Sequence, residues 1–382
     1  MNQILITATV PSMIGQFNMD NIDILQSMGC QVHIACNFKD TSIWPTERID
    51  MFIKKLEAKN IVCHQIDFPR NPRFLFKVIK SSRQLNNLLI TNSFKLIHCH
   101  TPLAGCISRI VAHRHKVKVI YTAHGFHFYD GAPLLNWLLY YPVEKFLSRW
   151  TDILITITKE DFSRAVNKFH AQRVEYISGV GIDVNQFVVN DIGRNQIRDG
   201  FGLHDDDILL LSVGGLDDNK NHKVVLNALK LLNNNKLYYY IAGIGPLKDY
   251  LLGLINEYGI ANQAKLLGYR SDIPQLLNAA DIFILPSKRE GLNVSLMEAM
   301  ASGLPCICGR IRGNVDLIEQ PNGGLLVNPS NVGEYVESIN HLIDNKSFSK
   351  MGEFNRNFIQ NFDIKVVREK MIAIYKSIIP QN

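Results

Sequence analysis

The sequence predicts an α/β protein built from two doubly wound domains, each with a parallel sheet. Its 382 residues exceed the length at which a single hydrophobic core is the usual solution. In both halves, short apolar runs rich in β-branched residues alternate with amphipathic stretches, a pattern typical of parallel sheets covered by helices. A charged segment of poor periodicity lies between the halves. We therefore expect two similar domains joined by a linker.

Six apolar runs predict the strands of the first domain, and they are QILITATV, QVHIAC, IVCHQI, KLIHCH, KVIYTA and DILITI. Amphipathic stretches between these runs predict five helices. The first ends near Met28, the second covers 47–59, the third begins at Pro72, and the last two cover 103–113 and 134–148. We place this first domain at residues 1–187 and the linker at 188–207.

The second half repeats the plan, with strands predicted at DILLLSV, KLYYYIAG, AKLLG, DIFILP, LPCIC and GGLLV. We place this domain at residues 208–362. The remaining stretch, 363–382, contains the strongly helical run VVREKMIAIYKSII and is a candidate to pack back on the first domain.

Composition indicates a protein of the reducing cytoplasm. Hydrophobic residues make up 46% of the chain and charged residues 20%, and no apolar run approaches the roughly 20 residues of a membrane span. The start of the chain does not have the pattern of a signal peptide. Seven cysteines occur without a Cys-x-x-Cys pair, which argues against disulfides and structural zinc. We expect no metal, no cofactor and no nucleic-acid partner.

Positive charge is concentrated in the first half. Residues 1–180 carry a net charge of +8 and the remainder −2. Within the helix predicted from Pro72, Arg73, Lys77 and Lys80 share one stripe. A basic surface of this kind suits an anionic membrane or a phosphate-bearing acceptor, although a merely solvated charged face remains the alternative.

The segment PSKREGLNVSLMEAMASGLPCI carries two glutamates that indicate a ligand site. Glu298 lies in an otherwise apolar helix, where an ionised carboxylate is costly unless it is hydrogen-bonded. Glu290 lies eight positions earlier in the preceding loop, so that the helix N-terminus between them can bind an anion. The residues at that N-terminus are Gly291, Leu292, Asn293 and Val294. A surface glutamate and a half-buried, ion-paired glutamate remain the alternative interpretation.

Two further segments follow predicted strands and carry polar side chains. SVGGLDDNKNHK is a glycine-rich turn, and its Lys220 can supply a positive charge to a phosphate. In KVIYTAHGFHFYDG, His124 and Gly125 follow a strand directly, and His127 is a weaker candidate. A solvated lysine and ordinary structural histidines remain the alternatives.

The chain resembles the retaining GT-B glycosyltransferases of family 4, whose signature of two glutamates separated by seven residues matches Glu290 and Glu298. The resemblance implies two facing Rossmann-like domains. It also implies that Glu290 binds the donor sugar, Glu298 the ribose and Lys220 the diphosphate. Gly215 stands where the family has an arginine, so Lys220, the helix N-terminus and two further candidates, Arg289 and Arg312, would share the leaving-group charge.

The same resemblance assigns further residues to the donor site. It places His124 against the donor sugar and puts Gly15, in PSMIGQF, at the family's glycine-rich loop. LLGYRSDIPQLL resembles the segment that grips the base, which implicates Tyr269 and Arg270. GFHFYDGAPLLNWLLYYPVEK resembles capsule and exopolysaccharide transferases of bacteria. That similarity implies a UDP-sugar donor and a glycan or polyprenyl-diphosphate-linked acceptor, handled in the cytoplasm or peripherally on the inner face of the membrane.

Other functions are less consistent with the motifs. Asp205, Asp206 and Asp207 match a metal-binding Asp-x-Asp superficially, but they precede a strand, and we interpret them as a solvated loop. A dehydrogenase is disfavoured because no Gly-x-Gly-x-x-Gly follows the first strand. A sugar-nucleotide epimerase of the same architecture and a non-catalytic partner subunit remain open. The family mechanism implies transfer on one face of the sugar, without a side-chain nucleophile or a metal.

Overall fold

A computed structural model describes residues 1–71, 73–187, 190–345 and 348–380. The chain divides into two compact units. Unit 1 consists of Met1–Val180 and Val366–Asn382, and unit 2 consists of Gly181–Lys365. The first crossing between units therefore lies at residue 180, before the linker predicted at 188–207.

Unit 1 contains a seven-stranded parallel sheet in the order β3-β2-β1-β4-β5-β6-β7. Its strands are β1 (Gln3–Thr7), β2 (Gln31–Cys36), β3 (Val62–Gln65), β4 (Phe94–His100), β5 (Lys118–Ala123), β6 (Ile153–Thr156) and β7 (Arg173–Tyr176). Its helices are α1 (Pro11–Phe17), α2 (Met19–Ser27), α3 (Thr46–Ala58), α4 (Leu75–Thr91), α5 (Pro102–His115), α6 (Leu134–Leu147) and α7 (Lys159–Lys168). Pro72, where we expected α4 to begin, lies outside the described residues.

Successive residues of each buried strand in unit 1 enter cores on opposite faces of the sheet. In β1, Ile4 and Ile6 join one core, while Leu5 joins the other. Side chains alternate across a strand, so a strand that is apolar at every position is buried on both faces. This double burial explains why the predicted strands read as continuous apolar runs.

The last helix of the chain, α16 (Ile364–Ile378), completes the first of these cores. Its buried residues Met371, Ile374 and Tyr375 lie in the same cluster as Ile4 and Ile6. From Val366 onward, the C-terminal segment belongs to unit 1.

Unit 2 contains a six-stranded parallel sheet in the order β10-β9-β8-β11-β12-β13. Its strands are β8 (Ile208–Val213), β9 (Leu237–Ala242), β10 (Ala264–Gly268), β11 (Ile282–Leu285), β12 (Cys306–Gly309) and β13 (Gly324–Val327). The helices are α8 (Asp191–Phe201), α9 (Lys223–Leu232), α10 (Lys248–Glu257), α11 (Ile273–Ala279), α12 (Val294–Ala301), α13 (Asn314–Leu317), α14 (Val332–Asn345) and α15 (Phe348–Phe358). Two parallel α/β sheets of this kind confirm the predicted fold class.

Helix α8 occupies most of the segment that the sequence predicts as a linker. The Asn190 side chain caps the helix, accepting a hydrogen bond from the Gly193 amide at 3.2 Å. Arg198 is buried and donates to Asp281 Oδ2 at 3.1 Å, and Arg194 donates to Oδ1 of the same carboxylate at 2.5 Å. The buried face of α8 is thus partly ionic instead of an apolar stripe, which is why the segment has little hydrophobic periodicity.

The three aspartates after α8 lie in the turn that leads into β8. Asp207 is buried and accepts a hydrogen bond from the His204 amide at 2.7 Å. Asp206 pairs with Lys236 at the surface. In the described part of the chain, no group of three or more His, Cys, Asp and Glu residues is arranged to hold a metal ion. None of the described helices combines the length and apolarity needed to cross a membrane.

Candidate active site

In unit 2, the loops after β8 and β11 lie side by side because these two parallel strands are neighbours. The Lys288 amide donates to the Asn219 carbonyl at 2.8 Å, and Asn219 Nδ2 donates to the Arg289 carbonyl at 2.9 Å. The carboxyl ends of strands in an open α/β sheet are where such folds bind ligands. The glycine-rich turn after β8 and the glutamate-bearing segment after β11 therefore form one surface.

Lys220 and Glu290 form an ion pair on this surface. Lys220 Nζ lies 2.7 Å from Glu290 Oε1, and the two side chains are only 17% and 14% exposed. A Cβ on Gly214 would lie 3.0 Å from Lys220 Cε, so the glycine leaves room for the lysine to cross the backbone. The predicted phosphate cation and the predicted sugar-binding carboxylate are thus in direct contact, which spacing along the sequence does not reveal.

Glu298 lies half-buried in α12, between Met297 and Ala299, both of which are fully buried. Among the described residues, no hydrogen bond or ion pair to its carboxyl group is found. Burial raises the pKa of this carboxyl to about 7. None of the described residues is therefore the polar partner that we expected for Glu298, and hydroxyl groups of a ligand could fill the role.

The start of α12 is held by its own cap and by a neighbouring glycine. Asn293 Oδ1 accepts a hydrogen bond from the Leu296 amide at 3.1 Å. Gly313 has a φ of +85°, and a Cβ there would lie 1.8 Å from the Gly291 carbonyl oxygen. Only glycine permits this approach, which fixes the backbone at Gly291 and Leu292 just before the helix.

A buried hydrogen-bond network holds the loop at Gly215 in place. His222 Nε2 donates to the Gly215 carbonyl at 3.2 Å, because a carbonyl oxygen can only accept. His222 Nδ1 is bonded to the Tyr239 hydroxyl at 3.0 Å, which is in turn bonded to Ser212 Oγ at 2.9 Å. Burial lowers the pKa of His222 to about 4, so the ring is neutral at pH 7. We did not single out His222, although it lies only two residues after Lys220.

The remaining candidates in unit 2 differ in their surroundings. Tyr269 is 76% exposed, directly after Gly268, whose φ is +71°. Arg270 Nε donates to Asp272 Oδ1 at 2.7 Å, so its charge is already paired. Arg289 is exposed and Arg312 half-buried.

In unit 1, three histidines cluster at the carboxyl ends of β4 and β5. His100 Nδ1 and His124 Nε2 are 3.1 Å apart, and the rings of His98 and His100 are 4.2 Å apart between centroids. His98 is bonded to the Tyr375 hydroxyl at 2.7 Å and to Thr122 Oγ1 at 2.8 Å. The predicted His124 is thus hydrogen-bonded to His100 and is the least buried of the three histidines.

All three imidazoles of this cluster are neutral at pH 7. Burial lowers the pKa of His98 to about 3 and that of His124 to about 4, and it holds the pKa of His100 well below its usual range. A cavity of about 40 Å³ adjoins His100 and His124 and is also lined by Phe17. Among the described residues, nothing hydrogen-bonds to the buried Nε2 of His100. The alternation His-x-His at the end of KLIHCH was a signal that sequence analysis could have used.

Two other candidates in unit 1 have structural surroundings of their own. The segment PSMIGQF, predicted as a loop, forms helix α1, and a Cβ on Gly15 would lie 2.3 Å from the Trp44 ring. A larger side chain at position 15 would therefore clash with Trp44, which explains the glycine by packing. The His127 ring stacks on Tyr140 with centroids 4.6 Å apart, in the loop that leads to α6.

Comparisons with known proteins agree with this arrangement. Residues 193–362 match the family model described as glycosyl transferases group 1, and residues 15–158 match glycosyl transferase 4-like. The Bacillus subtilis (strain 168) protein EpsD, which is named as a glycosyltransferase, is 32% identical over 98% of this chain and 96% of its own length.

Two further proteins are similar along most of the chain. An Escherichia coli enzyme named UDP-Gal:alpha-D-GlcNAc-diphosphoundecaprenol alpha-1,3-galactosyltransferase is 29% identical over 79% of this chain and 80% of its own. The crystal structure of Anabaena Alr3699/HepE in complex with UDP superimposes with a TM-score of 0.78 at 19% identity, covering 99% of this chain and 100% of that one. Its likeness concerns the fold. Taken with the paired glutamates and Lys220, these matches show that the chain belongs to the family 4 glycosyltransferases of GT-B fold.

Proposed function

We propose that this glycosyltransferase moves a sugar from a UDP-sugar to a hydroxyl group of a glycan or polyprenyl-diphosphate-linked glycan, with retention of the anomeric configuration. The observation that carries the proposal is the contact of 2.7 Å between Lys220 Nζ and Glu290 Oε1, together with the half-buried Glu298 on α12, the helix that follows the Glu290 loop. A nucleotide sugar has three polar parts, and these three side chains offer a partner to each.

The ion pair suits a leaving group that gains negative charge. Lys220 has three N–H donors, so it can keep Glu290 as one partner while it binds an oxygen of the diphosphate. Glu290 retains a second oxygen, which can accept from a hydroxyl group of the donor sugar. Because Lys220 is mostly buried, its interaction with the departing phosphate is screened less than at an exposed site.

Glu298 suits the ribose of the nucleotide. An ionised carboxylate can accept hydrogen bonds from both hydroxyl groups of a vicinal diol, and these bonds favour the charged form. Ligand binding would then lower the pKa that burial raises to about 7. We assign Tyr269 and the backbone around it to the base and His124 to the donor sugar, on the resemblance to the family.

The choice of UDP and of the acceptor rests on similar proteins. The E. coli relative is named for a UDP-galactose donor and a diphosphoundecaprenol-linked acceptor, and the Anabaena structure contains UDP. We therefore propose a role in the synthesis of a bacterial surface polysaccharide, in the cytoplasm and peripherally at the membrane. We also propose that transfer needs no metal, with Lys220 and the start of α12 stabilising the diphosphate.

A donor screen followed by product analysis tests the function. The protein is incubated with nucleotide sugars and a polyprenyl-diphosphate-linked acceptor, and NMR of the product identifies the anomer. We expect UDP release that depends on acceptor, persists in excess chelator and is strongly slowed in Glu290→Gln. Lys220→Ala should lower turnover more than it weakens donor binding.

Three outcomes would contradict the proposal. Release of UDP and a free sugar without acceptor would indicate an epimerase, and an inverted product would exclude retention. Loss of activity in chelator, restored by magnesium or manganese, would contradict the metal-free mechanism and direct attention back to Asp205, Asp206 and Asp207.

A further inference from the structure

Helix α6 of unit 1 presents a broad apolar face to solvent. Leu134 and Leu138 are 80% and 73% exposed. The other exposed apolar side chains of the helix are Leu135, Leu139, Val143 and Phe146. Leu135, Leu138, Leu139 and Phe146 follow the spacing of a single helical face, and the exposed Pro142 lies on the same face. Scattered exposed leucines are ordinary in soluble proteins, but a continuous face of this kind marks a binding surface.

The opposite face of α6 is fixed to unit 1, so the leucines cannot turn inward. Trp137 and Tyr141 pack against the core on that side of the sheet. Glu144 is buried and accepts from Arg109 Nη2 at 2.8 Å, while Tyr121 donates to its other oxygen at 3.3 Å. This buried ion pair and the aromatic contacts determine which side of α6 faces outward.

The charged side chains at the C-terminal end of the exposed α6 face are basic. Glu144 is the only acidic residue of the helix, and it is buried. The C-terminal end of α6 carries Lys145 and is followed by the exposed Arg149, whose guanidinium lies 5.9 Å from the centre of the Phe146 ring. At the end of α5, Arg114 is exposed and directly follows His113, whose ring stacks on Trp150.

Aromatic side chains surround this cationic end. The rings of Phe146 and Trp150 are 4.9 Å apart between centroids, and His113 stacks on Trp150 at 4.5 Å. Lys145 Nζ lies 5.8 Å from the centre of the Tyr141 ring. Helices that lie in a bilayer interface typically have leucines on one side and Trp, Tyr, Lys and Arg at the edge, as α6 does.

We propose that α6 lies in the surface of an anionic lipid bilayer, with its leucines among the acyl chains and Lys145 and Arg149 at the headgroups. The proposal deepens the membrane association included in the proposed function, because it names the element that carries it. It differs from the basic stripe predicted at Arg73, Lys77 and Lys80, because Arg73 precedes α4, which begins at Leu75, and Lys80 is already paired with Asp67 at 2.6 Å. A helix so placed would hold the enzyme where a polyprenyl-linked acceptor resides.

Flotation of the full-length protein with vesicles of phosphatidylglycerol and phosphatidylcholine tests the inference. We expect the wild type to float at low salt and to bind vesicles of pure phosphatidylcholine at least tenfold more weakly. Leu138→Gln with Leu139→Gln should lower partitioning at least tenfold, while Lys145→Gln with Arg149→Gln should remove most of its salt dependence. Melting temperatures should stay unchanged, because these side chains are exposed or lie at the edge of the helix.

Matched variants separate α6 from other surfaces. Leu231→Gln in unit 2 changes a leucine that is 66% exposed and should leave partitioning unchanged. Arg73→Gln, just before α4, combined with Lys77→Gln on α4 should have less effect than the pair of changes at Lys145 and Arg149. The inference is overturned if the wild type does not float at low salt, or if the α4 and Leu231 variants reduce partitioning as much as the α6 leucine variant.

Light scattering tests the alternative occupant of this face. A dimer that the Leu138 and Leu139 changes convert to a monomer would show that a second copy covers α6, and would overturn the bilayer assignment. UDP titration tests the proposed transferase function independently of the proposed binding of α6 to a bilayer. Failure of the wild type to bind UDP would count against the proposed function, whereas vesicle binding would still decide the role of α6.

Discussion

Glu298 couples the protonation of one residue to both stability and ligand binding. Its folded-state pKa of about 7 lies above the ordinary value of 4.5, so the stability contribution is present below pH 4.5 and is lost as the pH rises through 7. We expect Glu298→Gln to stabilise the ligand-free protein at pH 8 by up to about 3 kcal/mol and to have little effect near pH 5. Urea unfolding at the two pH values measures this difference.

The same residue makes nucleotide affinity depend on pH. If ribose hydroxyls require the ionised form, UDP affinity of the wild type should fall by up to about tenfold for each pH unit below 7. Glu298→Gln should bind UDP more weakly at pH 8 and show only the pH dependence of UDP itself. Identical pH profiles for the two proteins would contradict the ribose assignment.

Glu290 and Lys220 predict an asymmetric result because they neutralise each other. Glu290→Gln removes the carboxylate that occupies Lys220, so UDP affinity should stay equal or become stronger. Transfer should fall by about 2 to 4 kcal/mol in activation free energy if the sugar contact strengthens in the transition state. Calorimetric titration of UDP and steady-state kinetics measure the two effects. Loss of UDP affinity in Glu290→Gln, with affinity retained in Glu298→Gln, would reverse the two roles.

At the scale of one element, the loop between β8 and α9 depends on His222. His222→Ala leaves the Gly215 carbonyl and the Tyr239 hydroxyl without their partner, so we expect a loss of about 2 to 3 kcal/mol in the free energy of unfolding. UDP affinity should weaken as well, because the same loop carries Lys220. His204→Ala, at an exposed position, is the matched control and should change stability by less than about 0.5 kcal/mol. Equal effects of the two changes would show that the buried network is dispensable.

Elements were predictable from sequence where burial is purely apolar. Strands such as β8 and β11 follow from their continuous apolar runs, and the motifs of the candidate site could be recognised because they stand directly after those strands. Helix α8 was missed because its buried side chain is Arg198, which no hydrophobic pattern reveals. The contact between His100 and His124 joins neighbouring strands, and that between Lys220 and Glu290 joins separate loops. Distances of this kind depend on strand order, which the sequence does not specify.

At the scale of the whole molecule, buried histidines predict that acid destabilises unit 1 more than unit 2. Burial lowers the pKa of His33 and His124 to about 4 and that of His98 to about 3, all in unit 1, whereas among the described residues of unit 2 only His222 is shifted in this way, to about 4. Since the unfolded chain binds protons near pH 6.5 and the folded one does not, stability falls as the pH drops from 6.5 towards 4. Each such histidine costs up to about 3 kcal/mol at the acidic end of this range.

Unit 1 should therefore unfold before unit 2 on acidification. All three tryptophans, Trp44, Trp137 and Trp150, lie in unit 1, so their fluorescence reports on that unit alone. We expect the fluorescence transition at a higher pH than the main loss of far-UV circular dichroism. Coincident transitions, or loss of the circular dichroism first, would contradict this order.

The position of α16 has a consequence for how the protein is made. The core around Ile4 and Ile6 is completed by Met371, Ile374 and Tyr375, from the opposite end of the chain. During translation, the first core therefore has to wait until α16 has left the ribosome, whereas unit 2 consists of the continuous segment Gly181–Lys365 and can close earlier. A message truncated before the last helix would yield a product with an exposed apolar sheet face, a ready substrate for chaperones and proteases.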